Sequence, residues 1–265
     1  MKQDKHKVFI IGGGNVAKHM AWQFTQTSSV ELTGVWNRHS EKWKDFPGNI
    51  KIYKDLNYLP QVDIIIIAVK DDSIEDISRR LPEKNVLTVH TSGVMPVQII
   101  QSERKGVFYP LQSLSADHLD IPFRETVPLL IHAENKNDLI LLKKLASSIS
   151  NRVFHVDDQQ RSFLHLAAVY ANNFTRYLLS VSYQILKHKE LDFNLLTPLI
   201  KQTFQNIDNQ DPFVKMTGPA IRNDHKTIEK HLRILRENFP ENYTEIYQIL
   251  TQSIKDEKKK RDSEN

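Results

Sequence analysis

Short apolar runs alternate with segments of helical spacing along the first 156 positions, and after Asp157 the runs stop. Ile64-Ile65-Ile66-Ile67-Ala68-Val69, following Asp63, has no polar alternation. Such a run predicts a central parallel strand buried on both faces. Runs ending at Ile11, and over Glu31 to Trp36, Asn85 to His90, Gly106 to Tyr109, Val127 to His132 and Arg152 to Val156, predict further strands. Asn137 to Ile149 has helical spacing. Lys70-Asp71-Asp72-Ser73 ends the central run, where Asp or Ser can cap the next helix. Strands alternating with helices predict a doubly wound α/β domain with a parallel sheet, whose ligands sit outside the carboxyl ends of the strands.

From Gln159 to about Lys187 the residues Phe163, Ala167, Tyr170, Ala171, Phe174, Leu178, Val181 and Ile185 form one apolar stripe at helical spacing. Asp192 to Ile207, Asp224 to Asn238 and Glu241 to about Ile254 predict three more helices, with Pro198 kinking or delaying the first. The expected organisation is an α/β domain over 1–156, an all-helical domain over 157–255 and a frayed basic tail over 256–265.

The first strand runs into Gly12-Gly13-Gly14-Asn15-Val16-Ala17. In a strand–turn–helix, Gly12 permits the tight turn, Gly14 the approach of a pyrophosphate, and Ala17 close helix packing. The helix N-terminus then offers free N–H groups and partial positive charge. At the tip of the second strand stand Asn37-Arg38-His39-Ser40, with Lys42 nearby. A NAD site usually has a carboxylate there, about 20 residues past the glycines. Arg38, helped by Asn37 and Ser40, suits a 2′-phosphate instead, so NADP(H) is the expected cofactor. Ala68 and Val69, ending the central strand, flank the same site, and Trp36 is expected beside the adenosine pocket.

A length of 265 residues fits two domains at about 150 residues each. The net charge of +4 is partly the tail, and so small an excess argues against nucleic acid as a partner. With no Cys, thiol catalysis, disulfides and thiolate metal sites are excluded. No signal peptide precedes the first strand and no apolar run is long enough to span a bilayer, so a cytoplasmic protein without membrane contact is expected. The 11 histidines show no ligand spacing, and no metal is expected.

The glycine loop, Asn37-Arg38, His90-Thr91-Ser92-Gly93, Tyr109-Pro110-Leu111-Gln112, the His165…Asn172-Asn173 helix and Thr217-Gly218-Pro219-Ala220-Ile221-Arg222-Asn223-Asp224 together resemble a bacterial family. Its members join a Rossmann-like domain to a domain of unknown function, DUF2520. They resemble, more distantly, pyrroline-5-carboxylate reductase, 6-phosphogluconate dehydrogenase and the F420-dependent NADP reductases. The resemblance implies an NADP-type fold and an all-helical second domain, like the C-terminal domain of 6-phosphogluconate dehydrogenase, that forms a homodimer. It supplies no substrate. The β-hydroxyacid dehydrogenases carry a catalytic Lys three residues before a paired Asn; here Val169 stands at that position, which argues against the Lys route. Some relatives have His in place of Tyr109, and Asn223 stands where Gly often follows the Arg; Asn tolerates the left-handed backbone such a turn needs.

His90, Thr91, Ser92 and Gly93 end a strand on the side expected for the nicotinamide. The two hydroxyls can bond a substrate, and Gly93 lets the backbone come close to it. At 3.6 residues per turn, Asn172 and Arg176 each fall within about 20° of His165 on the long helix, opposite the apolar stripe. His165 is the candidate proton donor, Asn172 the orienting group, and Arg222 a grip for a carboxylate or phosphate. The expected activity is NADP(H)-dependent hydride transfer to or from a small polar, anionic or neutral, substrate in an interdomain cleft. The alternative is a non-catalytic NADP(H)-binding sensor or dimeric scaffold.

Overall fold

The computed structural model of the chain describes residues 5–82, 85–115, 118–205, 207 and 211–264. The chain divides into two compact units, Met1–Phe174 and Thr175–Asn265.

The first unit holds an eight-stranded sheet: β1 (His6–Ile11), β2 (Val30–Trp36), β3 (Ile52–Tyr53), β4 (Ile64–Ile67), β5 (Leu87–His90), β6 (Lys105–Pro110), β7 (Leu129–Ala133) and β8 (Val153–His155). Their spatial order is β3-β2-β1-β4-β5-β6-β7-β8, and every neighbouring pair is parallel except β6 with β7. The all-isoleucine β4 is buried on both faces because two apolar layers cover it. Ile64 and Ile66 join Val8, Ile10, Val89 and Phe108 on one side, while Ile65 and Ile67 join Phe9 and Ile11 on the other. Four helices connect these strands or follow them closely: α1 (Asn15–Thr25), α2 (Ile74–Arg79), α3 (Phe123–Thr126) and α4 (Lys136–Ile149). The Asp or Ser cap expected after β4 does not form. A 3-10 turn over Asp71–Ser73 precedes α2, neither start has a side-chain cap, and the Ser73 N–H bonds the Lys70 carbonyl instead.

The long helix begins as α5 (Asp158–Ala168), opened by a reciprocal cap. Asp157 accepts from the Gln160 N–H, and the Gln160 side chain accepts from the Asp157 N–H. It passes through a π-helical segment, Val169–Phe174, before α6 (Thr175–Lys187). The strands end where the first domain was expected to end, but compactness assigns α5 and the π segment to the first unit. The first part of the apolar stripe is exposed: Phe163 and Tyr170 are about two-thirds exposed, at 67% and 65%, while Val181 and Ile185 are half-buried.

The second unit is helical, with α6 followed by α7 (Thr197–Gln205), α8 (His225–Asn238) and α9 (Glu241–Glu264). Pro198 lies in the first turn of α7, behind a 3-10 turn over Phe193–Leu196, so it delays the α-helix rather than kinking it. Asp224 caps α8, whose Ile228, Leu232 and Leu235 face the interior. The tail expectation is corrected: α9 runs to Glu264, and only Asn265 of that segment lies outside the described residues. The basic residues have partners that hold the helix. Arg261 pairs with Glu257 at 2.6 Å and Asp211 at 2.5 Å, and the Lys258 ammonium donates to the Ile221 carbonyl at 3.0 Å. No helix among the described residues is long and apolar enough to cross a membrane.

Candidate active site

The carboxyl ends of β1, β4, β5 and β6 share one edge of the sheet, since these strands are parallel. Gly12 leaves β1 at φ +143, with the Ala68 carbonyl directly where a β-carbon would stand. Only glycine meets both conditions. Nothing lies within 4 Å of the β-carbon position of Gly14, and no side chain caps α1 behind it. Gly14 and Asn15 are exposed, which leaves the N-terminal end of α1 accessible to an anion. Val16 and Ala17 pack into the core. Asn15 is spent on protein: its amide donates to the Leu114 carbonyl at 2.9 Å. His19 bonds Ser115 and Gln23 bonds Ile121 in the same way, so one face of α1 ties down the chain after β6.

Arg38 and Ser40 are exposed, and Arg38 has no ion pair among the described residues. Asn37 donates to the His39 carbonyl at 2.8 Å, which shapes the tip but engages its amide. Trp36 ends β2 beside Asn37 and is 8% exposed within the apolar layer that also holds Phe9 and Ile11. A second tryptophan, Trp43, is buried against the glycine turn: its indole N–H donates to the Gly12 carbonyl at 3.0 Å.

Past β5, His90 is fully buried and its Nδ1 accepts the Ser92 N–H at 3.1 Å. Burial, reinforced by the Arg161 charge, lowers its pKa to about 4, so it is a neutral structural group rather than a substrate ligand. Thr91 N–H bonds the Ile67 carbonyl. The Ser92 hydroxyl accepts from the N–H groups of Val94 and Met95, shaping the turn, and the side chain is buried. Gly93 approaches the His165 ring closely. A β-carbon there would lie 2.5 Å from His165 Nδ1.

His165 and Tyr109 share a hydrogen bond, phenol oxygen to Nδ1, at 3.0 Å. Both line a cavity of about 370 Å³ with Leu111, Gln112, Asn172 and Asn173. The uniform helical wheel is corrected by the π segment, in which the ladder widens to i→i+5 and Asn172 comes to the cavity beside Val169. Arg176 and Arg222 belong to the second unit. Arg222 is exposed in a loop where Gly218 and Asn223 take φ +115 and +53, as the Asn substitution anticipates. Tyr109 stands in one of the motifs that carry the resemblance, but motif reading gave it no role in the site; its partner is 56 residues away. Burial pushes the Tyr109 phenol above its usual range; Arg161 opposes that shift and Asp71 adds to it.

Gly93→Ala is expected to displace the His165 ring and break its bond to Tyr109. Turnover should fall about 10- to 100-fold, about 1.4–2.7 kcal/mol, with dinucleotide affinity unchanged. Steady-state rates beside a binding titration check this, and an unaltered rate would refute the contact.

Residues 127–254 match the family model described as Domain of unknown function (DUF2520), and residues 6–90 match the Oxidoreductase family, NAD-binding Rossmann fold. A Bacteroides fragilis protein, provisionally described as an NADP oxidoreductase, is 30% identical over 97% of this chain and 100% of its own, with a TM-score of 0.84. The chain therefore belongs to the family that joins a Rossmann domain to DUF2520. An imine reductase from Myxococcus stipitatus in complex with NADP+ (15% identity, 94% of each chain, TM-score 0.69) has the same fold. So does a reductive aminase from Aspergillus terreus in complex with NADPH (12%, 94% of this chain and 93% of that one, 0.67). No curated protein matches the chain.

Proposed function

We propose that the protein is an NADP(H)-dependent oxidoreductase that moves a hydride to or from a small polar substrate. The observation that carries this is the bonded Tyr109–His165 pair, which lines a cavity beyond the same strand ends that carry the glycine loop. The complexes of the imine reductase and the reductive aminase with NADP+ and NADPH support the choice of cofactor. The first-turn amides of α1 hold the pyrophosphate, Arg38 with Ser40 holds the 2′-phosphate, and Ala68 and Val69 flank the dinucleotide. When bound, the nicotinamide supplies the hydride. His165 belongs to the proton path, and Asn172 orients the substrate. Phe163, Tyr170 and Phe174, exposed along one helix, support a homodimer.

Trp43 should report cofactor binding through its fluorescence. Arg38→Ala is expected to weaken NADPH about 10- to 100-fold, about 1.4–2.7 kcal/mol, and to leave NADH unchanged. Equal loss for both would remove Arg38 from the 2′-phosphate, and no binding of either would make the glycine loop structural. Val169, where a catalytic Lys stands in the β-hydroxyacid dehydrogenases, favours a second reading as a non-catalytic sensor. That reading requires tight NADPH binding without turnover.

A further inference from the structure

We propose that Tyr109 is the group that hands the proton to the substrate and that His165 recharges it; this rests on the hydride-transfer reading above. His165 Nδ1 is closed in by two neighbours. The Tyr109 oxygen lies 3.0 Å away, and the Gly93 backbone is so near that a β-carbon there would stand 2.5 Å from the nitrogen. A proton on Nδ1 therefore leaves through the phenol oxygen, and Tyr109 itself forms part of the cavity wall with Gln112 and Asn172. Burial keeps the phenol protonated through neutral pH, so it rests as a donor. The charges facing it are Arg161 on α5 and Asp71 in the turn after β4.

The step balances. As the substrate carbon receives hydride from the reduced dinucleotide, its oxygen or nitrogen takes the phenolic proton. The Tyr109 O–H bond breaks, and its oxygen takes the Nδ1 proton of a protonated His165. One proton reaches the substrate, one leaves the imidazolium, the phenol is restored, and solvent recharges the neutral ring. Imidazole suits this because it changes charge between pH 5 and 8.

The test compares wild type, Tyr109→Phe and His165→Gln in the full chain. NADPH binding, followed through Trp43, is expected to be equal in all three, which separates this proposal from the cofactor reading. With cyclohexanone and 2-methyl-1-pyrroline as probes, Tyr109→Phe is expected to lose about 100-fold in NADPH oxidation at every pH. His165→Gln should lose about 10-fold. The relay is overturned if Tyr109→Phe keeps most of the rate while His165→Gln loses it, since His165 is then the direct donor. A substrate-free measurement covers the case in which neither probe is reduced. In proton NMR spectra, Tyr109→Phe should shift the His165 ring resonances, because the ring loses its 3.0 Å partner. Unmoved resonances overturn the pair, whereas absent NADPH binding overturns only the cofactor reading.

Discussion

Asp158→Ala is expected to lower the unfolding free energy by about 3–5 kcal/mol, the usual cost of leaving a buried charge without its partner. Arg161 is fully buried on α5, with its Nη1 2.7 Å from Asp158 Oδ1 and its Nη2 donating to the Met95 carbonyl. The other Asp158 oxygen accepts the Val97 N–H at 2.8 Å. One carboxylate thus neutralises the cation and ties the chain after Gly93 to the first turn of the helix that carries His165. Arg161 Nε already lacks a protein acceptor, so little remains to compensate the charge once the acid is gone. Arg161→Met removes the charge along with its partner's task and keeps most of the volume, so it should cost clearly less than Asp158→Ala. Urea denaturation of both variants checks the ranking. A loss below about 1 kcal/mol in Asp158→Ala, the range of an exposed ion pair, would mean that water reaches Arg161.

The clamp explains what could and could not be read from the amino-acid sequence. β4 announces itself because a strand covered on both faces needs no polar alternation, and Gly12 announces itself through the glycine run. The direction of β7 is not encoded that way. Leu129, Leu130 and Ile131 are all buried, and a strand buried on both faces carries no sign of whether its neighbour runs parallel or antiparallel. Asp158 and Arg161 carry no motif either; their influence on His90 exists only in the folded chain. Ser92 and Asn15 were expected at ligands because their types suit ligands, yet main-chain groups claim both side chains, nearby in sequence for Ser92 and 99 residues away for Asn15. Tyr109 shows the converse, since a strand-end tyrosine becomes chemical only once His165 is folded against it. The tail misleads for a related reason. Its charges look solvated in one dimension, and their partners Asp211 and Ile221 come from a distant loop.

His90 should leave a signature in the pH dependence of stability. Its pKa is about 4 in the folded chain against about 6.5 for a free histidine, with burial the larger cause and Arg161 the next. Between these values the unfolded chain binds a proton that the folded chain refuses, so the stability contributed by this site rises with pH across the interval. It is fully present above about pH 6.5, falls as the pH drops towards 4, and is constant below that. At 1.36 kcal/mol per pH unit, the interval is worth about 3 kcal/mol. Other groups titrate in the same range, His132 among them with its pKa also lowered by burial, so wild type alone cannot isolate the effect. The comparison is with His90→Gln, which loses the bond from the Ser92 N–H at every pH but has nothing to protonate. Unfolding free energies at pH 7 and pH 4.5 should therefore show the variant's deficit shrinking by about 2 to 3 kcal/mol at the lower pH. A deficit that stays constant would mean that His90 takes up its proton without opening the turn, and that the neighbouring Arg161 does not constrain its charge.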